Sequence, residues 1–105
     1  LIWFHSSSMG EFEQAKPIIE NLKTLGIYNI LVTFFSPSGY ENQKNYPYAD
    51  IVLYAPFDNP KDVKRFLSYI SPSILIFMRY DLWPNLVYHV SRRKIPIFLV
   101  DATFS

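Results

Sequence analysis

Hydrophobic positions along the chain switch between two periods, and the switches mark the elements. Leu1-Ile2-Trp3-Phe4 is an unbroken apolar run, the pattern of a strand covered on both faces. From Phe12 the period lengthens. Phe12, Ala15, Ile18, Ile19, Leu22 and Leu25 recur at helical spacing, and Gly26 is a natural stop. Ile30-Leu31-Val32-Thr33-Phe34-Phe35 is β-branched and aromatic and predicts a second buried strand. Ser36-Pro37-Ser38-Gly39 is a turn or a helix start, followed by a short polar helix over about 39–45. Ile51-Val52-Leu53-Tyr54 predicts a third strand. Asn59-Pro60 then sets an N-cap before proline at the first helical position. Val63, Phe66, Leu67 and Ile70 give that helix its i, i+3, i+4, i+7 face, and Ser71-Pro72-Ser73 breaks it. Ile74-Leu75-Ile76-Phe77-Met78 predicts a fourth strand. Trp83, Leu86, Val87 and Val90 line another helix, with Arg92, Arg93 and Lys94 at its carboxyl end, where cations suit the dipole. Ile97-Phe98-Leu99-Val100 predicts a fifth strand.

The order is therefore βαβαβαβαβ. Alternating strands and helices imply α/β architecture, a parallel sheet covered on both faces. Right-handed crossovers favour a doubly wound, Rossmann-like layer. The expected strand order is 3-2-1-4-5, with the switch point between strands 1 and 4. No internal repeat or low-complexity tract interrupts the pattern.

Composition narrows the function. The 105 residues are one domain by length, and 50% hydrophobic with 18% aromatic content excludes disorder as the main state. There is no cysteine, which removes disulfides and thiolate-ligated metals; with only two histidines, no metal site is expected. A net charge of +1 argues against a nucleic-acid binder driven by bulk charge. No apolar run approaches the roughly 20 residues that cross a bilayer, and no signal peptide is evident. The chain starts without methionine in an apolar run and stops just after another, so it reads as a fragment of a longer protein.

In such a sheet a ligand binds beyond the carboxyl ends of the strands, at the switch point. Two loops should flank it: 5–11, His5-Ser6-Ser7-Ser8-Met9-Gly10-Glu11, and 79–85, Arg79-Tyr80-Asp81-Leu82-Trp83-Pro84-Asn85. The first lacks the three spaced glycines of a dinucleotide fingerprint and the lysine of a phosphate loop. Glu11 would also repel a phosphate there. A carboxylate in that place suits a general base. Ser8-Met9-Gly10-Glu11 equally fits the S-x-x-E capping box, in which Glu11 serves the backbone. Asp81 has the same double reading, as a site carboxylate or as N-cap of the helix bearing Trp83. His5 is a base, a donor to substrate, or a structural histidine bonded to backbone. Gly10 could let the chain pass close to a neighbour. His89 is expected on the surface, and Arg92-Arg93-Lys94 as a solvated helix end that could touch anionic lipid. The aromatics are mainly core; Tyr40, Tyr46 and Tyr48 cluster in a polar stretch and could be exposed near a ligand or membrane.

Three blocks carry a resemblance. Phe4-His5-Ser6-Ser7-Ser8-Met9-Gly10-Glu11-Phe12-Glu13-Gln14-Ala15, Thr33-Phe34-Phe35-Ser36-Pro37-Ser38-Gly39-Tyr40-Glu41 and Leu82-Trp83-Pro84-Asn85 resemble the 3-deoxy-D-manno-octulosonic acid (Kdo) transferases of lipopolysaccharide assembly. The match runs over the whole chain in order. It implies the acceptor-side, N-terminal domain of a two-domain GT-B glycosyltransferase, with CMP-Kdo as donor and a lipid A precursor as acceptor. The donor would be held by a C-terminal domain, and the enzyme would work at the cytoplasmic face of the inner membrane. Glu11 matches the family's general base. Asp81 matches a second acidic position, usually glutamate. His5, Ser8 and Gly10 fall in the first matched block and are expected to contact substrate, as are Ser38 and Gly39 in the loop after strand 2. Asp101-Ala102-Thr103-Phe104-Ser105 resembles a family segment in which an arginine replaces Thr103, so no anion contact carries over to that position.

The implied chemistry is one inverting displacement. Glu11 takes the proton of an acceptor hydroxyl as its oxygen attacks the anomeric carbon of Kdo, and CMP leaves. Neither a cofactor nor a metal is implied if backbone amides and basic groups stabilise the leaving phosphate. Residues 1–105 alone are expected to be inactive, since half a cleft cannot hold both reactants in attack geometry. Two other readings compete. One is a different GT-B sugar-nucleotide enzyme; the other is a non-catalytic α/β interaction module in which Glu11 and Asp81 serve only as caps.

Overall fold

The computed structural model describes residues 1–78 and 83–100. Five strands alternate with four helices: β1 (Ile2–Ser6), α1 (Met9–Thr24), β2 (Ile30–Phe34), α2 (Pro37–Gln43), β3 (Ile51–Tyr54), α3 (Pro60–Tyr69), β4 (Ile74–Met78), α4 (Pro84–Arg92) and β5 (Ile97–Val100). The strands form one parallel sheet in the order β3-β2-β1-β4-β5. The architecture is the doubly wound α/β layer read from the periodicity, and β1 is its switch strand, paired with β2 on one side and β4 on the other.

Pairing register explains which strands are buried. Phe4 lies opposite Val32 of β2 and Ile76 of β4, so β1 is flanked along its length. Every residue of β1 and β2 is buried. The edge strands β3 and β5 are only half covered. Edges lack a neighbour, and their continuous apolar sequence does not reveal that position.

The core has two halves, one on each face of the sheet. Ile2, Phe4, Ile30, Val32 and Phe34 meet Phe12, Ala15 and Ile19 of α1. Trp3, Leu31, Leu75 and Phe77 meet Val63 and Leu67 of α3 and Leu86 and Val90 of α4. Alternate strand residues point to opposite faces, so one five-residue strand feeds both halves. A buried side chain of this size contributes about 1.5–3 kcal/mol by leaving water.

Several boundaries differ from the pattern. β1 runs on through His5 and Ser6 because ladder pairing to Thr33 and Phe34 holds the backbone whatever the side-chain polarity. α1 begins at Met9, where Ser8 Oγ accepts from the Glu11 amide, and Gly26 follows its end at φ +75°, the left-handed stop that glycine permits. Leu25 is the C-cap and stands 61% exposed, so it leaves the α1 face. α2 starts at Pro37 behind the Ser36 cap, earlier than the expected 39. α3 starts as read, with Asn59 Oδ1 accepting from the Asp62 amide at 2.8 Å.

His89 corrects a surface assignment. It lies on the inner side of α4 with Leu86 and Val90 and is 9% exposed. The tyrosine cluster is also largely structural. Tyr40 stacks on Tyr54 at 4.3 Å, and Tyr46 packs edge-on to Phe12 while its hydroxyl donates to Glu20 Oε2 at 2.7 Å. Burial first, then that carboxylate, pushes the Tyr46 phenol above its ordinary pKa. Tyr48 alone of the three is exposed.

Candidate functional site

The carboxyl edge of β1 is where the two halves of the sheet part. On the α1 side, the chain leaves β1 at Ser6 and enters α1 at Met9, so Ser7 and Ser8 form the whole connection. Ser8 is the N-cap: its backbone is extended, and its Oγ accepts from the Glu11 amide at 3.3 Å. Glu11, in the first turn and half-buried, returns its side chain to the same loop. Its Oε1 accepts from the Ser7 amide at 2.8 Å. This is a capping box displaced by one residue, since the box proper would return to the Ser8 amide. The bond fixes the carboxylate at the helix start, where the dipole favours negative charge. It engages Oε1 and thereby sets the direction in which the rest of the carboxylate points.

The other side of the crevice is aromatic. The His5 side chain leaves the opposite face of β1 and is 1% exposed. Its Nδ1 is hydrogen-bonded to Thr33 Oγ1 at 2.9 Å, and Thr33 Oγ1 also accepts from Trp3 Nε1 at 2.8 Å. This partner is a side chain on β2. Phe77 stands edge-on to the His5 ring at 5.5 Å and Trp83 at 4.6 Å. Trp83 in turn meets Phe35 at 5.4 Å. Phe35 follows β2 and Trp83 precedes α4, so the two rings close over the end of β1 from its two neighbours. His5 therefore meets the crevice through Trp83, and Phe35, 53% exposed, carries the ladder to the surface. Ser6, the last residue of β1, is fully buried, and its Oγ has no hydrogen-bond partner among the described residues.

The other expected site residues fall in different places. Ser38 is exposed in the first turn of α2. Gly39 is buried beneath it: a Cβ there would come within 2.7 Å of the Phe34 ring, so packing alone requires glycine. Among the described residues a Cβ built on Gly10 meets nothing within 4 Å. Asp81 lies outside the described residues, as does the segment 101–105. Among the described residues no group of three metal-ligating side chains gathers.

One residue of this edge was missed in the sequence. α4 has Trp83 at its N-cap position, with no side-chain bond of its own. A cap comes instead from Asp58, in the loop after β3. Asp58 Oδ1 accepts from the Leu86 amide at 2.8 Å and Oδ2 from the Asn85 amide at 3.3 Å, while Asn85 Nδ2 donates to the Asp58 carbonyl at 2.9 Å. Nothing local signals this, since Asp58 sits beside Asn59-Pro60, whose capping role is obvious and different.

A doubly wound parallel sheet with a carboxylate pinned at the first helix start is the α/β class of domain in which ligands bind at the switch point. The comparisons give it a family. Residues 1–105 match the family described as 3-deoxy-D-manno-octulosonic-acid transferase (kdotransferase), and the chain belongs to that family of glycosyltransferases. It is 37% identical to the 3-deoxy-D-manno-octulosonic acid transferase of Aquifex aeolicus, across 96% of the chain and 28% of that protein. It is 34% identical to the enzyme of the same name from Haemophilus influenzae, across 99% of the chain and 25% of that protein. A bifunctional glycosyltransferase/methyltransferase of Fusobacterium nucleatum is 32% identical across 99% of the chain and 17% of its own length. The chain thus spans between 17% and 28% of the length of these relatives. Among the described residues no helix is long and apolar enough to cross a membrane.

Proposed function

We propose that this chain is the acceptor-side domain of an enzyme that transfers Kdo from CMP-Kdo to a lipid A precursor, with inversion and with Glu11 as general base. The observation that carries the proposal is the placement of Glu11. Its carboxylate stands at the start of α1 beside the switch strand and is held there by the Ser7 amide. A base must be oriented before the hydroxyl arrives, and a hydrogen bond on one oxygen supplies that orientation. The hydroxyl is a weak acid, so its proton passes to Glu11 as the new C–O bond forms and CMP leaves from the opposite side. Ser8 and Gly10 border this base, and Ser38 and Gly39 border the same edge from β2. Asp81 supplies the second carboxylate. A donor domain outside this chain holds CMP-Kdo, and the enzyme works at the cytoplasmic face of the bacterial inner membrane, where the lipid acceptor is presented.

The Ser7 bond also supports a second reading, in which Glu11 is only a cap and the domain is not catalytic. Glu11→Gln separates the two. The amide oxygen of glutamine still accepts from Ser7 N–H, but glutamine takes no proton. Kdo transfer is measured with the full-length protein, wild type beside Glu11→Gln, with a melting curve for each. A loss of about 100-fold or more at an unchanged melting temperature supports the base. Equal activity in both leaves Glu11 a cap, and a well-folded wild type without Kdo transfer rejects the donor.

A further inference from the structure

The cations of the described residues divide unevenly between the two helical layers. Lys16, Lys23 and Lys44, on the α1 and α2 side, each hold a carboxylate, those of Glu13, Asp50 and Glu41. Lys61, Lys64, Arg65, Arg92, Arg93 and Lys94 all lie on α3 or at the carboxyl end of α4. None of these makes an ion pair among the described residues. The acids of that layer are already committed. Asp58 caps α4, and Asp62 accepts from Asn59 Nδ2 at 2.7 Å.

Three of these cations converge. A groove of about 550 Å³ runs between α3 and α4, lined by Lys64, Tyr88, His89, Arg92 and Arg93. Arg92 is held in place: its Nη1 donates to the Tyr88 hydroxyl at 3.0 Å, and its guanidinium stands 5.6 Å from the centre of that ring. The His89 ring forms part of the wall. Burial first, then Lys64, Arg93 and Arg92, lower its pKa from the ordinary 6.5. Lys64, Arg92 and Arg93 thus line one groove, and none of them is paired with a carboxylate among the described residues. The carboxyl-end dipole of α4 accounts for cations at Arg92 and Arg93. It does not account for Lys64, which reaches the groove from the neighbouring helix.

We propose that this groove binds a phosphate group, with Lys64, Arg92 and Arg93 as its ligating residues. Guanidinium groups offer forked donors that match phosphate oxygens, and an ammonium adds a mobile point charge. The volume admits more than the phosphate itself, so the group arrives either on a soluble molecule or as a lipid headgroup. The groove is separate from the crevice: it lies along the α3 and α4 helices and near the carboxyl end of α4, whereas Glu11 and Trp83 stand at helix starts.

The test uses the full-length protein and a Lys64→Gln/Arg92→Gln/Arg93→Gln variant. All three side chains are exposed, so the fold is expected to persist, and a melting curve checks it. One arm titrates inorganic phosphate; the other measures co-sedimentation with phosphatidylglycerol vesicles against phosphatidylcholine vesicles. The expected result is at least about tenfold weaker binding by the variant in one arm. Loss in the phosphate arm assigns a soluble ligand, and loss in the vesicle arm alone assigns a headgroup. In wild type, the phosphate that binds here should also raise the pKa of His89, read from its ring proton resonances. Binding that the triple substitution leaves unchanged in both arms, with His89 unmoved, overturns the proposal.

Discussion

Two helices start at the carboxyl edge of this sheet, and they are capped in opposite ways. α1 is capped by its own sequence: Ser8 serves Glu11, and Glu11 serves Ser7, all within five residues. α4 is capped by a carboxylate from another loop, with Asp58 reaching Asn85 and Leu86 across 27 and 28 positions. The local cap forms wherever the helix forms. The distant cap exists only once β3, α3 and α4 are in place, so it reports on the tertiary fold. The α1 cap is also partly exposed, whereas Asp58 meets amides beside a buried Leu86. The carboxylate that completes the local box is the proposed base, while the one that caps α4 has a purely structural task.

The largest effect should fall on α1 and be functional: Glu11→Gln is expected to cost Kdo transfer about 100-fold with little change in stability. At α4 the expected loss is in folding. Asp58→Ala strands two backbone amides that had a charged acceptor, at about 2–3 kcal/mol in urea unfolding. A loss no greater than at the α1 cap would mean that water replaces Asp58 and that the contrast between the helices is empty. Next is Gly39→Ala, whose Cβ meets the buried Phe34 ring and should cost about 1–2 kcal/mol by overpacking. Circular dichroism melting of the two glycine variants sharpens the point, because Gly10→Ala should cost nothing. Ser8→Ala should cost only about 0.5–1 kcal/mol in the same assay, the bond being long and exposed.

The smallest effect is electrostatic. Asp50 accepts from the Ile30 amide at 2.7 Å and pairs with Lys23 at 3.0 Å. The amide bond first, with help from Lys23, holds its pKa below 3.8. A depressed carboxyl stabilises the fold above its unfolded value and ceases to do so as the pH falls through the folded one. The contribution is thus complete above the ordinary value of 3.8 and is lost progressively as the pH falls from there through the lower folded value. Solvent screening keeps it under about 1 kcal/mol. Urea unfolding of Asp50→Asn and wild type between about pH 3 and pH 6 should show curves that converge on acidification. Parallel curves would remove Asp50 from the account.

Much of this molecule was legible in order along the chain. Apolar runs of four to six residues gave the five strands, and helical spacing gave α1, α3 and α4, because each pattern is set by the period of its own backbone. Asn59-Pro60 and Gly26 marked ends correctly, since capping and left-handed stops depend on one or two residues. The placement of Ser8 and Glu11 was legible for the same reason. His89 was misread because Leu86, Val87 and Val90 already described a face, and only the packing of α3 against α4 widened it to include the histidine. Gly10 and Gly39 looked alike in sequence; the ring of Phe34 distinguishes them.

What the sequence determined alone is the alternation of elements, the handed order that follows from it, and a carboxylate at the first helix start. These rest on short-range backbone geometry and on the chirality of crossovers. What only the tertiary structure decided is which distant groups meet: Asp58 at α4, Trp83 between His5 and Phe35, and Lys64 beside Arg92 and Arg93. Such meetings depend on how elements from opposite ends of the chain pack across the sheet, and no local pattern encodes that distance.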